Sequence, residues 1–233
     1  MEVRTITYLE VDQVKRLEEE ATNLRDKLLV RLLFHLGCRV SEVLNISVKD
    51  INFAQGTVMI QHLKTRLALS CPYCSARLSR SHSFCPKCGE KVIEAIAKEL
   101  KYQRMRILPF DKETIDMLRD FIKRGGSVKR KDDMFIFGLT RHRAWQIVKE
   151  CAEKAGLPKL VNPETGRVHN VSPHKLRDAF AVHAVKQNDS GDGLRLLQEH
   201  LGHQNFNTTA KYRKVSGEEH REWYDRLWKE DKP

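Results

Sequence analysis

Apolar positions recur at helical spacing through the first forty residues of the chain. Val11, Val14 and Leu17 mark one short helix. Leu24, Leu28 and Leu32, joined by Leu29, Leu33 and Leu36, give a second helix with a broad apolar face that Gly37 terminates. A short helix is expected at Ser41–Leu44. Gln55-Gly56 then reads as a turn into a strand, because Thr57–His62 is β-branched and alternating. Residues 65–102 break this pattern: two cysteine pairs come first, then a charged stretch, Val92–Leu100, that reads as helical. Strand character returns at Arg104–Leu108 and stops at Pro109. The pattern is that of a β-hairpin with a module in place of its tip.

Helices dominate the remainder. Asp111 can cap one that carries Ile115, Leu118 and Ile122 and ends at Gly125-Gly126. Thr140 opens another, which runs to Gly156. Ser172-Pro173 supplies a cap residue and an N1 proline for a third. A fourth is expected to start at Asp192, with Leu194, Leu197 and Leu201 inside and Gly202 as terminator. Ser216 and Glu219 form a capping box before a last helix bearing Trp223, Leu227 and Trp228. That helix offers apolar groups either to a neighbouring copy or to its own core. The expected fold class is mainly α with a small antiparallel β-sheet, α+β. Residues 1–233 form one domain, and residues 65–102 are a module inserted in its hairpin.

With 233 residues and 40% hydrophobic content, the chain can bury an ordinary globular core. Its formal net charge is +11. Such an excess suits either a polyanionic partner or a generally solvated Lys/Arg surface. No basic amphipathic segment favours a membrane surface, and neither a signal-peptide core nor a membrane-spanning run is visible. A cytoplasmic location is expected, so the six cysteines read as thiols or metal ligands rather than disulfides.

Four of those cysteines form two CPxC units, Cys71-Pro-Tyr-Cys74 and Cys85-Pro-Lys-Cys88, with ten residues between them. Each tight turn can present two thiolates, and two such turns close a tetrahedral site of four sulfurs. Soft ligands with no open position point to structural zinc. The pair resembles zinc-ribbon knuckles. The module is poor in apolar residues and is expected to need its metal to fold. His82 is not expected to be a ligand. Cys38 and Cys151 fall on apolar helical faces and read as core residues.

Four separated segments carry groups suited to breaking a phosphodiester. That reaction needs a nucleophile, cations on the non-bridging oxygens and an acid for the leaving oxygen. Arg39 lies just after a helix-ending glycine in Gly37-Cys-Arg39-Val-Ser-Glu42. Lys64 ends the strand of the hairpin. His174 and Arg177, spaced i, i+3, share the first turns of a helix. Leu201-Gly-His203 is followed nine residues later by Tyr212.

In this order the boxes resemble the tyrosine recombinase (phage integrase) family over roughly residues 7–215. The resemblance implies a metal-independent enzyme acting on duplex DNA, a site-specific recombinase or integrase, with zinc only structural. Tyr212 would attack the scissile phosphate to give a 3′-phosphotyrosine, while Arg39 and Arg177 clamp the phosphate. His203 would hydrogen-bond the phosphate, His174 would take the tyrosine proton, and Lys64 would protonate the leaving 5′ oxygen. Three departures stand out. Asp178 follows Arg177 where many members have histidine, a position outside the expected catalytic set. The insertion directly after Lys64 makes Lys101, at its far end, a rival general acid. Few residues precede the catalytic boxes, where family members generally carry an N-terminal helical domain that completes a clamp on DNA. Either a longer protein has been cut short or this one grips DNA differently; on the second expectation the basic knuckle residues Arg66, Arg77, Arg80 and Lys87 are candidate DNA contacts. A homo-oligomer on DNA is expected. Two rivals use the same residues differently: a type IB topoisomerase-like relaxing enzyme, and a non-catalytic zinc-containing DNA-binding protein.

Overall fold

The computed structural model describes residues 8–61, 66–79, 81–100, 105–161, 165–213 and 224–225. They fall into two compact units, one within residues 61–105 and the other built from the chain on either side.

The larger unit is built on helix α2, Leu24–His35. Leu28, Leu29, Leu32, Leu33 and Leu36 are fully buried, and Val30 joins them on another side. A helix apolar nearly all round must be covered on several sides. Helix α1 (Val11–Glu19), the short α3 (Val40–Val43), α4 (Lys112–Lys123), α5 (Arg141–Lys154) and α6 (Pro173–Gln187) all pack against α2. Two polar residues of α2 are also buried, Asp26 and Arg31. For Arg31 the compensation is extensive. Its guanidinium reaches Glu18 at 3.0 Å, Asp111 at 3.0 Å and Glu113 at 2.6 Å, and it donates to Thr114 at 2.8 Å. A buried charge is tolerable only when it is paired this completely. Asp111 also caps α4, so one carboxylate starts that helix and ties it to α2.

Strands β1 (Ile51–Asn52), β2 (Thr57–Gln61) and β6 (Met105–Pro109) form a small sheet in the order β1-β2-β6. Helices α7 (Gly191–Leu201) and α8 (Phe206–Ala210) follow α6, and a 3-10 turn at Lys211–Arg213 comes last. Ala181, Val185, Leu194, Leu197 and Leu201 make a second core cluster there. The cap of α7 is Ser190, whose hydroxyl accepts from the Gly193 N–H at 3.0 Å, two residues before the Asp192 expected from sequence. Cys38 and Cys151 are buried, as core residues should be.

Between β2 and β6 lie β3 (Arg66–Ser70), β4 (Arg77–Leu78) and β5 (Ile96–Leu100), a three-stranded sheet in the order β4-β3-β5. The helix expected over Val92–Leu100 is not formed. Ile96–Leu100 instead pairs antiparallel with the whole of β3, from Ile96↔Ser70 to Leu100↔Arg66. Nine residues make a poor isolated helix, and β3 offers a full row of backbone partners. The two-stranded ribbons β7 (Val128–Arg130) with β8 (Asp133–Phe135) and β9 (Leu160–Val161) with β10 (Val168–His169) are too short to leave an alternation in the sequence. The expected last helix with Trp223, Leu227 and Trp228, and its cap at Ser216, lie outside the described residues.

Candidate active site

The end of α2 places the first site residue. Gly37 adopts φ +55°, and a Cβ there would lie 2.4 Å from Phe180 Cδ1, so both conformation and space require glycine. The chain reverses at this point, and Arg39 becomes the N-cap of α3. Glu42, three residues on, accepts from the Arg39 backbone N–H at 2.9 Å and from Arg39 Nη1 at 3.1 Å. Its second cation is Arg106 of β6, with Nη2 at 2.8 Å. Glu42 is 3% exposed. Burial alone would raise its carboxyl, but the bond and charge of Arg106 and the N–H and charge of Arg39 outweigh it and hold it at about 2. The carboxylate therefore fixes two guanidinium groups, one of them from a residue 64 positions away.

Arg177 is the most buried cation of the site, at 1% exposure. Its Nη1 donates to the Gly37 carbonyl at 2.8 Å and its Nη2 to the Leu201 carbonyl at 2.9 Å. One guanidinium thus binds the last carbonyl of α7, as the helix dipole favours, and the carbonyl of the turn that follows α2. Nη2 also lies 2.9 Å from His203 Nε2. Burial, and next the charge of Arg39, lower the Arg177 pKa, although a guanidinium stays protonated at any ordinary pH.

His203 follows a left-handed glycine. Gly202, at φ +67°, ends α7, and the His203 N–H returns to the Gln198 carbonyl at 3.0 Å. A Cβ on Gly202 would lie 2.8 Å from Arg106 Nη1, so this glycine also makes room for Arg106. The ring Nδ1 lies 2.9 Å from the hydroxyl of Thr209, which is fully buried. Burial, then Arg177, Arg39, Arg106 and His174, push His203 down to about 4. The neutral ring that follows has one consistent tautomer: Nδ1–H donates to Thr209, and Nε2 accepts from Arg177.

Tyr212 lies in the 3-10 turn and packs against the second core cluster. Its ring stacks on that of His203, with centroids 6.3 Å apart and planes at 15°. Its hydroxyl donates to Asp178 Oδ1 at 3.0 Å. Burial first, then the charge and bond of Asp178, raise the phenol pKa above its ordinary value, while Arg177 and Arg39 act in the opposite direction. Asp178 thus touches the expected nucleophile directly. His174, one turn earlier on α6, is largely exposed, with Nε2 3.8 Å from the same Oδ1. It shares a face with Asp178 at i, i+4, whereas Arg177 turns inward.

Arg39, His174, Arg177, His203 and Tyr212 are therefore brought together from separated segments. Lys64 and Lys101 lie outside the described residues. Four groups escaped sequence reading. Glu42 was visible only as part of a motif, Asp178 as a departure, and Arg106 and Thr209 not at all. The i, i+4 spacing of His174 and Asp178 was the one signal available.

In the smaller unit, the Sγ atoms of Cys71, Cys74, Cys85 and Cys88 lie within 4.8 Å of one another. Cys71–Cys88 and Cys74–Cys85 are 3.7 Å and 3.5 Å apart. A tetrahedron with Zn–S bonds of about 2.3 Å has edges of about 3.8 Å, so the donor set fits such an ion. The two knuckles repeat each other. Ser75 N–H returns to the Cys71 carbonyl and Gly89 N–H to the Cys85 carbonyl, each at 2.9 Å, and both residues have positive φ. Around the cysteines only Leu78 is a fully buried aliphatic residue among those described. Arg77 and Lys87 are exposed, β3 begins at Arg66, and Arg80 lies outside the described residues.

A helical core with a small sheet, presenting two arginines, two histidines and a docked tyrosine, defines a catalytic domain of the tyrosine recombinase type. The chain belongs to the phage integrase family, whose model matches residues 7–219. It is 30% identical over 211 residues to tyrosine recombinase XerA of Pyrococcus horikoshii, covering 91% of this chain and 58% of that protein. It is 27% identical to tyrosine recombinase XerD of Staphylococcus epidermidis, covering 93% and 60%. The chain thus spans somewhat under two thirds of the curated relatives it matches. The crystal structure of XerA recombinase shares its fold with a TM-score of 0.64 at 20% identity, over 98% of this chain and 66% of that one. XerH bound to its difH substrate in a post-cleavage complex gives 0.60 at 19%, over 95% and 53%. No helix among the described residues is long and apolar enough to cross a membrane.

Proposed function

We propose that this chain cleaves and rejoins duplex DNA at a specific site, as the catalytic part of a tyrosine recombinase. The observation that supports the proposal is the stacking of the Tyr212 ring on His203, whose Nε2 accepts from Arg177, with the hydroxyl within the charge field of Arg177 and Arg39. The Tyr212 oxygen would attack phosphorus and form the 3′-phosphotyrosine. The P–O5′ bond breaks, and the 5′ oxygen leaves with a proton from Lys64, the proposed general acid. Arg39 and Arg177 hold the non-bridging oxygens as charge grows on the phosphorane. An anionic phosphate beside His203 would favour its imidazolium, whose second N–H could then donate to the phosphate. Because the link to tyrosine conserves the broken bond, rejoining by a 5′ hydroxyl needs no metal and no nucleotide. The phenol itself needs help, since with a pKa near 10 it is about a thousandth ionised at neutral pH.

The four-cysteine cluster is proposed to hold structural zinc, making the segment around residues 65–102 a zinc ribbon inserted in the catalytic domain. Zinc would supply the cross-link that its few apolar residues cannot. Its basic side chains Arg66, Arg77, Arg80 and Lys87 are proposed to contact the DNA backbone. Assembly as a homo-oligomer on DNA and a cytoplasmic location complete the reading.

A nicked suicide duplex, from which the cleaved fragment diffuses away, tests the proposal. Wild type should accumulate a covalent protein–DNA adduct, and Tyr212→Phe should form none. No adduct with any duplex selected for binding would leave a non-catalytic DNA-binding protein. Relaxation of plasmids of any sequence would indicate a type IB topoisomerase-like enzyme instead.

A further inference from the structure

We infer that Asp178 is the immediate acceptor of the Tyr212 proton in strand cleavage, with His174 standing behind it rather than at the hydroxyl. This inference rests on the recombinase reading above and adds a catalytic residue to it.

Among the described residues three groups face the Asp178 carboxylate, and each has a distinct place. The Tyr212 hydroxyl donates to Oδ1 at 3.0 Å. His174 Nε2 lies 3.8 Å from the same oxygen. Lys175 Nζ lies 3.6 Å from the other oxygen, Oδ2. The side chain is 20% exposed, so it is held by its neighbours yet open on one side. Arg177, adjacent in sequence, turns away from it to two backbone carbonyls. The phenolic proton therefore already points at a carboxylate oxygen, the geometry that general-base transfer requires.

In the step proposed, the Tyr212 O–H bond breaks as its oxygen bonds to phosphorus, and the proton passes to Asp178 Oδ1. The P–O5′ bond breaks with its electron pair on the 5′ oxygen, which takes a separate proton from the general acid. No oxidant, metal or co-reactant is needed. A carboxylate is a weak base toward a free phenol, but the transfer is concerted with attack and the phenol becomes strongly acidic as the O–P bond forms. Protein kinases use an aspartate on a substrate hydroxyl in the same way. Charge also favours the step. An ionised Asp178 repels the phosphate, and taking the proton removes that negative charge as the phosphorane gains its own. In rejoining, the neutral carboxyl returns the proton to the departing phenolate. Lys175 compensates the carboxylate while it is ionised.

The test is single-turnover cleavage of the suicide duplex by the full chain. Asp178→Asn keeps an oxygen acceptor of the same shape but cannot take the proton, and should slow adduct formation by about a hundredfold or more. Fluorotyrosine at position 212, a more acidic phenol, should shrink that deficit severalfold, because less depends on the base. Adduct formation by Asp178→Asn at or above the wild-type rate would overturn the inference and make the contact a brake. An equal deficit with tyrosine and fluorotyrosine would also overturn it, leaving a positioning contact. Asp178→Ala with added formate carries the test should the amide variant fold poorly: partial rescue is expected, and none would refute a base. A wild type without adduct would instead count against the recombinase reading itself.

Discussion

Nε2 of His203 lies 2.9 Å from Nη2 of Arg177, so the imidazole accepts from a permanent cation and must be neutral to do so. This contact links the site to stability. In the unfolded chain a histidine titrates near 6.5. Here His203 is held at about 4, by burial first and by Arg177 next. A lowered histidine pKa means that the unfolded state binds more protons between the two values. The contribution is complete above about 6.5 and is lost as pH falls toward 4. His35 and His200 are also lowered, chiefly by burial, and act in the same direction. The urea midpoint should therefore fall from pH 7 to pH 5, and His203→Gln should flatten part of that slope. A slope unchanged in His203→Gln would contradict the assignment.

Glu42 presents a sharper case, because its carboxylate joins Arg39 to Arg106. Arg106 is largely buried, and its Nε has no hydrogen-bond partner among the described residues. Removing the charge of Glu42 would leave that guanidinium poorly compensated. Glu42→Gln should lower stability by roughly 3 kcal/mol in urea unfolding, and should slow DNA cleavage because Arg39 loses its orientation. Stability within about 0.5 kcal/mol of wild type, the range of an ordinary surface substitution, would show that the buried charges compensate one another without it.

What the sequence disclosed, and what it withheld, follows from the range of each interaction. Helix ends at Gly37, Asp111, Thr140 and Gly202 were legible because caps are local chemistry. The segments carrying Arg39, His174 with Arg177, and His203 with Tyr212 could be picked out because each sets distinctive residue types at short spacing; the segment ending at Lys64 runs outside the described residues. Arg106 was not legible, since its partner Glu42 is 64 residues away and nothing near Arg106 signals it. The strand at Ile96–Leu100 was misread as helix because its partner β3 overrides a weak local preference. Asp178 shows a third kind of gap. Its departure from the usual residue was plain, but that it faces Tyr212 depends on how the 3-10 turn returns to α6.

Gly37 lies where two demands meet, a left-handed φ of +55° and Phe180 where a side chain would go. Gly37→Ala should therefore cost roughly 2–5 kcal/mol, from the conformation and from displacing the ring. Because the Gly37 carbonyl anchors Arg177, cleavage should suffer beyond what the lost stability explains. Thermal unfolding and cleavage at a temperature where the variant stays folded separate the two effects. A variant as stable as wild type would mean that the turn relaxes freely.

The four-cysteine unit should depend on metal independently of the larger unit. Chelation, or Cys85→Ser, should release zinc with a stoichiometry of one per chain and increase proteolysis within residues 66–100. The far-ultraviolet helical signal of the larger unit should persist. Duplex affinity at fixed salt should fall in the same variant if the basic knuckles grip DNA, and the salt dependence should become shallower. Unchanged affinity with intact helices would make the ribbon a passive insertion.

The identity of the general acid can be decided by changing the leaving atom. A substrate with sulfur in place of the bridging 5′ oxygen departs as a thiolate and needs no proton. If Lys64 supplies the proton, Lys64→Ala should slow cleavage of the ordinary duplex by about 10²–10⁴-fold and cleave the sulfur substrate at nearly the wild-type rate. Lys101→Ala should then resemble wild type on both. The same deficit on both substrates would give Lys64 a binding role only. The rescue pattern in Lys101→Ala would move the acid to the far end of the insertion. Either result leaves the role proposed for Tyr212 untouched, because the adduct expected of the wild type would depend on its oxygen and not on which lysine protonates the departing strand.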